Sequence, residues 1–159
     1  MNTYAVKDLP KNKIIEFFKL HWGSPEMVTS SGIFDCSALD GITVVNEEDE
    51  IIGLITYIIK DKECEIISLD SLEEGKGIGT SLVQKVENLA IKKNCKIVKL
   101  ITTNDNLLAL KFYQKRGFIL SKIILNAVEK ARTVKPEIPL IGYNGIPIRD
   151  EFELIKVLN

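Results

Sequence analysis

Three glycines at alternating positions, in Glu74-Gly75-Lys76-Gly77-Ile78-Gly79-Thr80, constrain this chain more than any other stretch. Before them runs an isoleucine-rich segment, Glu63 to Leu69, that reads as a strand. After them Leu82, Val86 and Leu89/Ala90 recur at helical spacing through Lys93. Closely spaced glycines between a strand and an amphipathic helix let backbone N–H groups approach an anion. The helix N-terminus adds its partial positive charge, so phosphate is the natural guest. A tight structural turn is the competing explanation of the same glycines. Two phosphate fingerprints fail here. Counting G-x-G-x-x-G from Gly75 puts Thr80 where the third glycine belongs, and no Gly-Lys-Ser/Thr follows at the P-loop spacing.

The flanking sequence supplies the rest of an α/β pattern. Lys11 to Leu20 has helical spacing after Pro10 and is stopped by Gly23-Ser24-Pro25. Residues 26–41 read as irregular. Gly41 to Val45 and Ile51 to Lys60 read as strands joined by the acidic turn Asn46-Glu47-Glu48-Asp49-Glu50. Further on come a strand at Cys95 to Thr102, a helix at Asn106 to Arg116 ended by Gly117, and a strand at Phe118 to Leu125. A short helix at Asn126 to Arg132 and a strand-like run at Gly145 to Leu158 close the chain. No repeat or long linker interrupts it, so a single domain over 1–159 with a mixed sheet is expected.

Composition removes several function classes. The 21 Lys+Arg and 22 Asp+Glu give a net charge of −1, against the strongly basic balance of a general nucleic-acid binder. The total hides a partition: residues 1–70 carry 6 basic and 13 acidic side chains, and residues 71–135 carry 13 basic and 5 acidic. That pattern suits one region meeting an anion and another meeting a cation. The longest apolar stretch, Ile51 to Ile59, contains Gly53 and Thr56 and falls far short of the ~20 residues a spanning helix needs. A single histidine, His21, excludes most histidine-rich metal sites. Cys36, Cys64 and Cys95 lack C-x-x-C spacing and read as buried free thiols. With no secretory h-region in Met1 to Asp8, a cytoplasmic location is expected.

A second block decides between the readings of the glycine turn. Asn106, Ala109, Phe112, Tyr113, Gly117 and Phe118 match the pattern Asn-x-x-Ala-x-x-Phe-Tyr-x-x-x-Gly-Phe. Glu74 through Gly79 match Arg/Gln-x-x-Gly-x-Gly/Ala except at the first position. In this order the two blocks resemble the GNAT superfamily of acyl-CoA-dependent N-acetyltransferases. The resemblance implies a mixed, mostly antiparallel central sheet with splayed parallel strands in its middle, flanked by helices.

It also implies roles. Acetyl-CoA would be the co-substrate, with no metal, in a cleft between the strands Glu63–Leu69 and Cys95–Thr102. Backbone groups from Ile67 to Leu69 would pair with the pantetheine arm, and the Leu69 amide would polarise the thioester carbonyl. Gly75, Lys76, Gly77, Ile78, Gly79 and Thr80 would cradle the pyrophosphate. Asn106 would contact the cofactor, and Tyr113 would protonate the departing thiolate. Glu65 resembles the family's general bases, with Asp70 as second choice. The acidic Glu74 stands where the family has Arg or Gln, with Lys76 nearby to offset its charge. The acceptor implied is an amine of a small molecule, attacking the thioester directly in a ternary complex. His21 and Trp22 are read as packing or capping residues first and as acceptor-pocket walls second. Neither a nucleic acid nor a membrane is implied as partner, and a homodimer is compatible with the family. A CoA-binding sensor without turnover is the alternative, motivated by Glu74. An unrelated nucleotide-binding α/β module ranks last.

Overall fold

The computed structural model describes residues 1–159. The chain runs β1 (Asn2–Ala5), α1 (Lys11–Trp22), β2 (Glu26–Thr29), β3 (Gly32–Asp35), β4 (Asp40–Val45), β5 (Ile51–Lys60), β6 (Glu63–Ser71) and α2 (Ile78–Lys92). It continues through β7 (Ile97–Thr103), α3 (Leu107–Lys115), β8 (Ile119–Ile124), α4 (Ala127–Val134) and β9 (Glu151–Val157). Seven strands form one sheet in the order β1-β4-β5-β6-β7-β9-β8, mostly antiparallel with a parallel pair in the middle, and β2 and β3 form a second, two-stranded sheet. This is the mixed α/β architecture expected from the sequence.

The residues cluster into two compact units. The first comprises Met1–Met27, Asp35–Val98 and Leu158–Asn159; the second comprises Val28–Phe34 and Lys99–Val157.

In the first unit apolar residues of β5, β6 and α2 build the core. Leu54, Ile55, Ile66, Leu82 and Val86 are all buried, each contributing about 1.5–3 kcal/mol. Helix α2 comes so close to β5 that a Cβ on Gly53 would stand 2.5 Å from Ile78 Cγ2 and 3.2 Å from Leu82 Cδ1. Glycine at 53 is therefore what lets the helix settle on the sheet. The acidic segment is the hairpin turn anticipated: Asn46 Oδ1 accepts from the backbone N–H of Glu48 (3.0 Å) and Glu50 (2.9 Å). All three cysteines are free and buried, as expected.

The register of β5 against β6 contains one irregularity that matters for the site. Thr56 pairs with Ser68 but Tyr57 pairs with Ile66, leaving Ile67 as the extra residue of a β-bulge.

In the second unit β8 pairs antiparallel with β9, and the N–H of Ser30 donates to Glu151 Oε1 at 3.0 Å. Glu151 is buried on β9.

Three stretches differ from the sequence expectation. Residues 26–35 are not irregular but form β2 and β3; of the Thr29-Ser30-Ser31-Gly32 cluster that reads as a loop, only Ser30-Ser31 connects them. Strand β1 is four mostly exposed residues, too short and polar to show periodicity, and its pairing with β4 creates it. The last strand begins at Glu151 rather than Gly145. Asn104 Oδ1 accepts from the N–H of Arg149 and of Asp150, both at 3.0 Å, so a side chain takes these backbone groups in place of a ladder.

Candidate active site

The glycine turn adopts the conformation its composition suggested. Gly75 (φ 76°) and Gly77 (φ 70°) are both left-handed, and Gly77 is the N-cap of α2. A Cβ at either position would meet no atom within 4 Å. Glycine is thus required by the dihedral angle, and its bare surface leaves the backbone open to approach. The first N–H groups of a helix have no acceptor inside it and carry its partial positive charge. Gly75, Lys76 and Gly77 are exposed, Thr80 is half-buried, and Ile78 and Gly79 are buried. Such a turn fits a diphosphate. Lys76 makes its ion pair with Glu73 (2.8 Å), so the expected offset of Glu74 is corrected: Glu73, three residues back across the turn, takes the ammonium. Glu74 is exposed.

Strand β6 carries the carboxylates. Glu65 and Asp70 are five residues apart and would point to opposite faces of a regular strand. The bulge at Ile67 removes that difference. Leu54, Thr56 and Ile58 share one face of β5, so their partners Asp70, Ser68 and Glu65 share it as well. The opposite face, holding Gly53, Ile55 and Leu69, lies under α2. On the carboxylate face Thr56 and Ser68 hydroxyls join at 2.6 Å in a buried hydrogen bond.

The C-terminal end of α1 reaches the same face. Gly23, left-handed at φ 82°, stops the helix directly after Trp22. The Trp22 indole N–H donates to both oxygens of Asp70, at 3.1 and 3.0 Å. Burial pushes the Asp70 carboxyl above its ordinary value, opposed by the Trp22 hydrogen bond and the nearby His21. His21 packs on Phe17, ring centroids 4.6 Å apart. Buried Cys36 completes this neighbourhood, its thiol raised to about 11 by burial first, with hydrogen bonds from Thr56 and Ser68 opposing and Asp35 and Asp70 reinforcing.

The second unit holds the later motif. Asn106 caps α3, its Oδ1 accepting from Ala109 N–H at 3.2 Å, which accounts for the Asn-x-x-Ala spacing. Tyr113 is buried, edge-on to Phe112 (5.1 Å) and Phe118 (5.4 Å). Gly117 sits at φ 94° just past the end of α3.

Two features escape sequence reasoning. The Trp22–Asp70 bond joins residues 48 positions apart and has no spacing signature. Asp105, buried, accepts from Thr103 Oγ1 (2.5 Å) and from the Tyr143 N–H (3.1 Å), fixing the 142–150 segment next to α3. Its only signal was the polar triplet Asn104-Asp105-Asn106. No group of three or more His, Cys, Asp or Glu is arranged to hold a metal ion, and no helix is long and apolar enough to cross a membrane.

A mixed sheet with a central parallel pair, and a left-handed glycine turn opening the helix after β6, fit an acyl-CoA-type transferase. Residues 11–118 match the acetyltransferase (GNAT) family, and the chain belongs to that family. It is 55% identical to protein YxbD of Bacillus subtilis (strain 168) over 158 residues, covering 99% of each chain. A Bacillus subtilis acetyltransferase solved in complex with CoA is 25% identical, with a TM-score of 0.64 over 76% of this chain and 78% of that one. A GNAT family acetyltransferase from Elizabethkingia anophelis, solved with acetyl-CoA bound, is 28% identical, with a TM-score of 0.64 over 77% and 78% of the two chains.

Proposed function

We propose that this protein transfers the acetyl group of acetyl-CoA to the nitrogen of a small-molecule amine, by direct attack in a ternary complex. The observation that carries this reading is the β6–turn–α2 unit: a bulged strand bearing carboxylates on one face, continued by two left-handed glycines at a helix N-terminus. The two units act as one N-acetyltransferase domain over residues 1–159. Bound acetyl-CoA supplies an activated thioester carbonyl.

The backbone of Gly75, Lys76, Gly77, Ile78, Gly79 and Thr80 receives the pyrophosphate, where fixed N–H dipoles need no reorganisation. Ile67 and Leu69 present backbone groups to the pantetheine arm; a bulge at Ile67 supports this, since it frees one residue from the β5 ladder. The Leu69 N–H stabilises the developing oxyanion, a kind of contact worth ~2.7–4 kcal/mol. Asn106 contributes at the cofactor through whatever its capping bond leaves available. Tyr113 protonates the leaving sulfur.

An alkylammonium has a pKa of ~10.4 and must lose a proton before it attacks. A carboxylate on the α1-facing side of β6 accepts it, where Glu65 and Asp70 both stand. The acidic excess of residues 1–70 supports a cationic acceptor. Three free, buried thiols support a reducing compartment such as the cytoplasm. The test is an acetyl-CoA thiol-release assay across small polyamines, amino acids, aminoglycosides and peptides. Amine-dependent release supports the reading; acetyl-CoA binding without release from any amine supports a sensor instead.

A further inference from the structure

We propose that Asp70 is the carboxylate that takes the acceptor's proton and that Trp22 positions it, the ammonium approaching the open side of the carboxylate beside the exposed indole. The proposal rests on the acetyltransfer reading above and moves the base from Glu65 to Asp70.

Trp22 is the last residue of α1, and the left-handed Gly23 behind it fixes where the indole stands. A single N–H reaches both oxygens of Asp70 at 3.1 and 3.0 Å, which holds the carboxylate plane against the ring nitrogen. A carboxylate offers about four acceptor directions, and one N–H fills only part of them. No lysine or arginine pairs with Asp70; the titratable groups beside it are His21 on α1 and Cys36 on the turn after β3. The end of α1 adds the partial negative charge of its last carbonyls. The Asp70 charge is therefore offset only by the Trp22 hydrogen bond and the neighbouring His21. Beside it Trp22 remains 41% exposed, and an indole face attracts an ammonium. Burial raises the Asp70 carboxyl toward a useful basicity, and the Trp22 hydrogen bond opposes that shift.

The step balances. The ammonium gives one proton to Asp70 and keeps its electron pair. That pair forms the C–N bond to the thioester carbonyl carbon, and the C–S bond breaks with its pair on sulfur. Sulfur gains a proton through Tyr113, which the nitrogen's second proton replaces. The products are the amide and the free thiol, and Asp70 releases its proton to water.

Trp22 is the only tryptophan, so its fluorescence reports on Asp70 without any substrate. Titrating the protein from acid to neutral pH should give a fluorescence transition that Asp70→Asn abolishes and His21→Asn retains. With the best amine from the panel, Asp70→Asn should lower kcat/KM by roughly 100-fold or more, and Asp70→Glu should recover part of it. Trp22→Phe should keep its melting temperature near wild type and its KM for acetyl-CoA unchanged. It should raise the KM for the amine and move the acid limb of the pH–rate profile to higher pH, because the N–H that opposes the upward shift is gone. A Trp22→Phe profile superimposable on wild type, or thiol release that survives Asp70→Asn, overturns the proposal and leaves acetyl transfer standing. No release from wild type with any amine overturns both.

Discussion

Gly77 separates a structural turn from a phosphate cradle. Its φ of 70° and ψ of 18° lie in the left-handed region, where an L-residue costs roughly 1–2 kcal/mol. An added Cβ would meet no protein atom within 4 Å, so Gly77→Ala carries that backbone penalty and no clash. For a chain of this size 1 kcal/mol lowers the melting temperature by about 2–4 °C. Gly77→Asn lessens even this, since asparagine tolerates the left-handed region. If the turn is only structural, these small losses are the whole effect. If the turn cradles the pyrophosphate, both variants also put a side chain in front of the anion. Losing one hydrogen bond to a charged group then removes ~1.5–3 kcal/mol, about a 10- to 150-fold rise in the Kd for CoA. Gly145 provides the control, with φ of 71° and no atom within 4 Å of an added Cβ. Gly145→Ala should show the same drop in melting temperature and an unchanged Kd. Isothermal titration of CoA and thermal melting on the four proteins decide the matter. Wild-type CoA affinity in Gly77→Asn would refute the cradle.

Tyr113→Phe should lower kcat while leaving acetyl-CoA affinity near wild type in steady-state kinetics; an unchanged rate removes the acid assignment. Glu74→Arg should tighten CoA binding several-fold at low salt, with the gain shrinking as ionic strength rises, in titrations at two salt concentrations. Asp70→Asn should melt higher than wild type at neutral pH: burial raises the folded carboxyl, so its stabilising contribution is complete below the ordinary value of 3.8 and is lost as pH rises past it. The advantage of the variant should therefore vanish in acid. Cys36, raised from 9.0 to about 11, should resist a thiol reagent at mildly alkaline pH in the folded protein and react once it is unfolded. Its contribution to stability is complete below 9.0 and is lost as pH climbs toward 11, which melting scans across that interval measure.

Legibility in the sequence followed the range of the interactions. The glycine turn, α2 and α3 were readable because caps, left-handed glycines and helical spacing are local; Gly77, Asn106 and Gly117 each do the job their position announces. The central strands were readable from runs of isoleucine and valine. Strands β1 and β2–β3 were not, since strands of four residues are too short to show alternation and exist only through their partners. The bulge at Ile67 left no trace either: alternation alone would have placed Glu65 and Asp70 on opposite faces, and only the pairing with β5 brings them to one. The same holds for Trp22 and Asp70, whose meeting depends on how α1 lies over the sheet. Lys76 shows the converse error, because charge proximity in sequence pointed to Glu74 while the fold of the turn selects Glu73.

The central claim is acetyl transfer to an amine nitrogen, and the amine panel with acetyl-CoA tests it directly when thiol release is read together with product mass and fragmentation. The account predicts stoichiometric free thiol and N-acetylated product with a cationic small amine, both greatly reduced in Asp70→Asn. Acetyl-CoA binding with no thiol release from any amine, or acetylation found on oxygen or sulfur, would contradict it.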